Sequence, residues 1–132
     1  MVRTIIKQIN GSKMKKEEGN KLIAEFMGFE YDRSLPAHGG GTLITFSIKD
    51  VVYHASWDWL MPVVEKINEM EFSFEIDTWV GVTVYDYSKN FRPESLIEVL
   101  KEDEDGNKIS TIKSVWLAVI EFIKWYNQNK QQ

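Results

Sequence analysis

His54, Ser56 and Asp58 sit within five residues of one another, in His54-Ala55-Ser56-Trp57-Asp58, and together offer a base, a hydroxyl and a carboxylate. A serine activated by a histidine that an acid orients is the apparatus of acyl transfer, and its three groups must converge in space from separate elements. Crowding in sequence does not supply that convergence. A hydrogen-bonded histidine beside a helix cap accounts for the same residues. A small hydrolase using His54 with Asp58 or Ser56 is therefore the second functional expectation.

Other chemistry is less well supplied. His38-Gly39-Gly40-Gly41 has the look of the oxyanion loop of lipases and esterases, but the sequence lacks the G-x-S-x-G elbow that must accompany it. A flexible loop explains Gly39 to Gly41. Gly11-Ser12-Lys13 lacks the upstream glycine of a phosphate-binding loop, and no G-x-G-x-x-G occurs, so nucleotide binding has no support. Cysteine is absent and His38 and His54 are the only histidines, which removes thiolate chemistry and leaves a metal site short of ligands. Asn10-Gly11-Ser12 fits the glycosylation sequon by chance, given no secretory leader. No catalytic, cofactor-binding or metal-binding residue is assigned, and no cofactor is expected.

Formal net charge is -4, unevenly placed. Residues 1–21 carry Arg3, Lys7, Lys13, Lys15, Lys16 and Lys21 against Glu17 and Glu18, while residues 25–105 hold 17 acids and 6 bases. An acidic body repels phosphates, so nucleic-acid binding is disfavoured, and the basic head is read as a solvated terminus. No apolar run approaches the roughly 20 residues that span a bilayer, so no membrane role is expected. At 132 residues and 43% hydrophobic content, the expectation is one domain over 1–132, with 1–16 peripheral or mobile.

The elements that must position these residues follow from periodicity. Leu22, Ile23, Phe26 and Met27 share a face, predicting a helix over 17–27 ended by Gly28, then a loop over 29–41. Residues 42–54 are rich in β-branched and aromatic types, which predicts one or two strands around a Lys49-Asp50 turn. Pro62 is best tolerated in a first helical turn, so Asp58 is the expected N-cap of a helix over 59–70 burying Leu60, Val63, Val64 and Ile67. Phe72, Phe74, Ile76, Val80, Val82 and Val84 alternate with mostly polar residues, predicting two strands over 72–87 broken near Asp77-Thr78. Residues 95–101 fit a strand or a helical turn, and Asp105-Gly106-Asn107 marks a turn. Ile112, Val115, Val119, Phe122 and Tyr126 recur at helical spacing, predicting a helix from Thr111 as N-cap to Gln128. The expected fold is α+β: an antiparallel sheet of about three to five strands covered by three helices in an α/β/α layered sandwich, with Val64, Ile67, Val82, Val119 and Phe122 in the core.

The blocks NKLIAEFMG at 20–28, SWDWLMPVVEKI at 56–67 and SVWLAVIEFIKWYN at 114–127 resemble a family of small phage and bacterial proteins, the phage ABA sandwich type. The resemblance implies a layered α/β/α domain, a phage or prophage origin and hence a cytoplasmic setting in a bacterial host cell. It brings no assigned activity and no catalytic residues. The chain thus reads first as a non-enzymatic accessory protein that binds another protein.

Trp57, Trp59 and Trp116 adjoin expected core positions and read as packing residues. Leu117, Ile120 and Trp125 are apolar yet lie off the main stripe of the last helix. Two explanations stand about equal: a subunit contact, with a symmetric homodimer as its simplest form, or cover by other parts of the same chain.

Overall fold

The computed structural model of the chain describes residues 15–31, 45–46, 51–87, 94–103 and 105–129. In chain order the elements are α1 (Lys16–Phe26), β1 (Glu30–Tyr31), β2 (Thr45–Phe46), α2 (Trp57–Glu69), β3 (Phe72–Asp77), β4 (Gly81–Asp86), β5 (Glu94–Leu100) and α3 (Thr111–Asn129). The fold is α+β, with three helices and a three-stranded antiparallel sheet of order β3-β4-β5.

Period-two alternation builds the sheet. Phe74 pairs with Val84 and Ile76 with Val82 across the first ladder, and Val82 with Val99 and Val84 with Ile97 across the second. This places an apolar set on one face and Thr83, Glu75 and Glu98 on the other. The same pairing makes residues 94–100 a strand. A register shift at Val84/Tyr85 lets both Leu96 and Ile97 be buried in succession. The chain turns between β3 and β4 through Gly81, whose φ is 137° and whose missing Cβ would run into the Val99 carbonyl oxygen. Only glycine closes this hairpin against β5.

The three helices gather on the apolar side. α3 lies on β4 and β5, α2 lies beside β3 and against α3, and α1 packs on α3. The layers run sheet, then α3 flanked by α2, then α1, so the sheet is an outer layer. Among the described residues no helix covers the polar face of the sheet. With neighbours on several sides, α3 buries every residue from Ser114 to Ile120, and Phe122 and Ile123 as well. Phe122 is its aromatic centre: the ring lies 4.8 Å from Phe72, 6.3 Å from Phe26, 5.9 Å from Trp125 and 6.0 Å from Tyr126, joining β3, α1 and α3. Val64, Ile67, Val82, Val119 and Phe122 are all buried.

Several local expectations are corrected. The helix over 57–69 starts at Ser56, not Asp58: the Trp59 and Leu60 amides both donate to the Ser56 carbonyl, so Ser56 is the N-cap, though its hydroxyl makes no capping bond. Pro62 then lies inside the helix, where its ring deprives the Asp58 carbonyl of a partner. Asp58 and Pro62 are both exposed, so water on that face is available to the carbonyl. In α3 the cap is Ser110, whose hydroxyl accepts from the Lys113 amide at 3.2 Å, and Thr111 is the first helical residue. Among the described residues of 42–54, none joins the antiparallel sheet. Thr45–Phe46 pairs in parallel with Glu30–Tyr31, and 53–55 form a turn closed by the Ala55 amide on the Val52 carbonyl. The apolar character of Val51 and Tyr53 reflects burial from a turn rather than strand pairing. Residues 32–44, with the His38-to-Gly41 stretch, and the Lys49-Asp50 pair lie outside the described residues.

α1 ends as its sequence predicts. Gly28 adopts φ 86°, its amide donates to Glu25 and the Phe29 amide to Ala24, the paired bonds of a Schellman motif. Its buried set is Gly19, Asn20, Ile23 and Ala24, with Leu22, Phe26 and Met27 half-buried, a face rotated from the expected one. Gly19 permits this face: a Cβ there would fall 2.5 Å from both Ile120 and Trp116, so the helices approach through a residue without a side chain.

Truncating Phe122 to Ala opens a cavity shared by three elements and should cost on the order of 3–5 kcal/mol in urea unfolding.

Candidate functional site

His54 lies in the turn before α2, partly buried, and its surroundings are set by Asn20. Asn20 is 2% exposed and stands on the buried face of α1. The Trp116 indole Nε1–H donates to its Oδ1 at 2.9 Å, which fixes the orientation of the amide. Its Nδ2 then donates to the Val51 carbonyl at 3.0 Å and to His54 Nδ1 at 2.8 Å. An amide nitrogen has no lone pair to offer, so the proton of His54 is assigned to Nε2 and Nδ1 is the acceptor. The His54 and Trp116 rings meet at 69° with centroids 6.4 Å apart. Burial, with a smaller contribution from the Lys16 charge, lowers the His54 pKa below its ordinary 6.5. A protonated Nδ1 would face the Asn20 amide hydrogens, which opposes protonation in the same direction.

This arrangement does not bring together the three residues singled out by their spacing. His54 Nδ1 is engaged by Asn20, and among the described residues no hydrogen bond joins His54 to Ser56 or Asp58. Asp58 instead borders an apolar cleft of about 280 Å³ with Met27, Phe29, Tyr53, Trp59 and Pro62. Among the described residues no three histidine, aspartate or glutamate side chains gather where an ion would be shared.

The off-stripe residues of α3 have separate positions. Leu117 is 1% exposed and Ile120 is buried completely, Ile120 lying where α1 makes its close approach at Gly19. The second apolar face of α3 is thus covered from within the chain, and neither residue presents a surface for a subunit contact. Trp125 is half-buried, its ring 5.6 Å from Phe72. Of the tryptophans read as packing residues, Trp116 and Trp59 join the core and its margin, whereas Trp57 is exposed.

The apolar surface lies elsewhere. Trp79 is 80% exposed at the β3–β4 turn, between Ile76 and Val80, which are also exposed. The turn is firmly tied. Asp77 Oδ1 accepts from the Trp79 amide at 2.8 Å and the Val80 amide at 3.1 Å, and the Lys101 amide donates to the Val80 carbonyl at 3.0 Å. Lys101 Nζ donates to the Thr78 carbonyl at 2.8 Å and to Thr111 Oγ1 at 2.7 Å, fastening the tip to the start of α3. Lys108 Nζ stands 5.5 Å from the centre of the Trp79 ring. α2 and β3 are joined by the short Met70-Glu71 turn and run side by side at similar length, roughly 20 Å by rise per residue. The β3–β4 turn therefore returns to the end of the molecule where α2 begins, the end that carries exposed Trp57 and Met61.

Sequence reasoning missed Asn20 and Trp79. A signal for Asn20 existed in its position one turn before Ile23 and Ala24, a polar side chain on what becomes the buried stripe. Trp79 falls among the alternating residues of 72–87 and is exposed because it sits on the turn, not on either face.

Compared with protein-family models, characterised proteins and solved structures, the chain matches none. Among the described residues no helix is long and apolar enough to cross a membrane.

Two outcomes follow from the Asn20 network. Asn20→Ala leaves the Trp116 indole N–H and the Val51 carbonyl buried without partners and should cost about 3 kcal/mol in urea unfolding, at 1–3 kcal/mol per orphaned group. Because the folded pKa of His54 is depressed, the unfolded chain takes up a proton that the folded chain refuses. Stability should be constant above about pH 6.5 and decline as pH falls below it, a decline that is reduced in His54→Gln when both are followed by urea unfolding across that range.

Proposed function

We propose that the chain is an accessory protein of the phage or prophage type that acts by binding another protein through the β3–β4 tip. The observation that carries this reading is Trp79, four-fifths exposed on a turn held by Asp77 and Lys101. Single exposed apolar residues are ordinary on protein surfaces, but here Ile76, Trp79 and Val80 cluster at one tip. Tryptophan is among the residues most enriched where binding energy concentrates, because a large rigid ring buries much area at little cost in rotamer entropy. A turn already fixed by hydrogen bonds loses little further freedom on association. The partner best suited to it offers an apolar pocket deep enough for an indole. The resemblance of the three sequence blocks to the phage ABA sandwich type supports the phage setting. The alternative of a small hydrolase draws no support from the geometry, since His54 and Asp58 are committed to different surroundings.

Trp79→Ser alters an exposed side chain and should leave the melting midpoint unchanged. Affinity capture from the bacterial host cell with mass spectrometry should recover a reproducible protein with the native chain and lose it with this variant. Equal recovery by both would place binding elsewhere, and light scattering that shows a Trp79-dependent dimer would make the partner a second copy.

A further inference from the structure

We propose that the cleft between the end of α1 and the start of α2 binds a small organic cation, an alkylated ammonium ion that also carries an oxygen acceptor. Its walls come from three separate segments: Met27 and Phe29 from the Schellman turn, Tyr53 from the turn before α2, and Trp59 and Pro62 from the helix itself. Tyr53 and Trp59 meet with centroids 5.3 Å apart and planes at 88°, so they form a corner of two perpendicular rings, with Phe29 as a third aromatic wall. Aromatic faces attract cations through their quadrupoles, and alkylated ammonium ions, weakly hydrated and rounded, are the cations such enclosures select. Asp58 is the one carboxylate among the described lining residues and gives the ion its counter-charge.

The second requirement comes from Tyr53. Its side chain is 2% exposed, and its hydroxyl has no hydrogen-bond partner among the described residues. Burial raises its pKa to about 12, so the group remains an O–H donor at neutral pH. A buried donor without an acceptor costs free energy, and a bound molecule with an oxygen removes that cost. A cleft of about 280 Å³ suits a compact ion rather than a larger ligand.

Choline has both features, and 3,3-dimethylbutan-1-ol has the same shape and hydroxyl without the charge, so the pair isolates the cation. In a two-dimensional NMR titration of the full chain, choline should shift the Tyr53 and Trp59 signals and bind about tenfold more tightly than the alcohol. Asp58→Asn should remove most of that difference, and Tyr53→Phe should weaken choline about threefold while raising, not lowering, the melting midpoint of the free chain. A trimethyl-lysine peptide that binds more tightly than choline would support the same headgroup chemistry and assign it to a protein chain. Equal affinity for choline and the neutral alcohol, or no shift with choline at about 20 mM, would overturn the proposal.

Discussion

The side-chain amide of Asn20 uses its oxygen and both of its hydrogens on groups from two distant parts of the chain, and the helical side of the molecule is organised around those three bonds. Trp116 is the partner on α3, and Val51 and His54 are the partners on the turn that leads into α2. A buried amide satisfied at every position is a directional constraint that apolar packing lacks. Hydrophobic burial brings α1 to α3, but many rotations of α1 would bury similar area. The amide selects the one in which Gly19 faces Ile120 and Trp116, and Met27 and Phe29 are carried to the mouth of the cleft.

A second set of contacts supports the same placement from the opposite end of α1. Lys66 of α2 donates to the Phe26 carbonyl and stands 4.4 Å from the centre of the Phe26 ring. One cation therefore satisfies a carbonyl at the close of α1 and lies against an aromatic ring that also touches Phe122 and Tyr126. α1 is fixed at one end by an amide and at the other by an ammonium, and the apolar contacts fill the space between. The sheet needs no comparable device, since its ladders fix register by themselves.

Periodic residues made much of this architecture legible. Phe72 to Val84 alternate, so the hairpin follows, and Leu60, Val63, Val64 and Ile67 recur as a helix buried on one side requires. The apolar run Val115 to Ile120 exceeds a single stripe because α3 is covered by both the sheet and α1. What stayed hidden depends on three-dimensional partners. Residues 94–100 become a strand only through Val82 and Val84 opposite them. Val51 and Tyr53 have strand-like side chains but are buried from a turn, a distinction that composition does not encode. Pro62 misdirected the helix start because the cost of an interior proline depends on whether the freed carbonyl meets solvent. Trp79 and Trp116 are the same residue type, one almost bare and one almost sealed, and only the turn and the Asn20 bond separate them. Asn20 itself resembles any surface asparagine until Trp116 is placed beside it.

The bond between Asn20 and Trp116 spans 96 positions of the chain. During synthesis from the N-terminus, α1 emerges long before the helix against which it packs, and its Ile23 and Ala24 face has no cover until residues 116–120 have been added. The β3–β4 hairpin, whose pairings are local, can form earlier, but its apolar face waits for α3 as well. Folding of this domain therefore waits for α3, because the most buried segment is the last of its elements to be made. A ribosome stalled after β5 and before α3 would hold a nascent chain with both an unpartnered amphipathic helix and an open sheet face, the form in which chaperones and proteases engage a polypeptide.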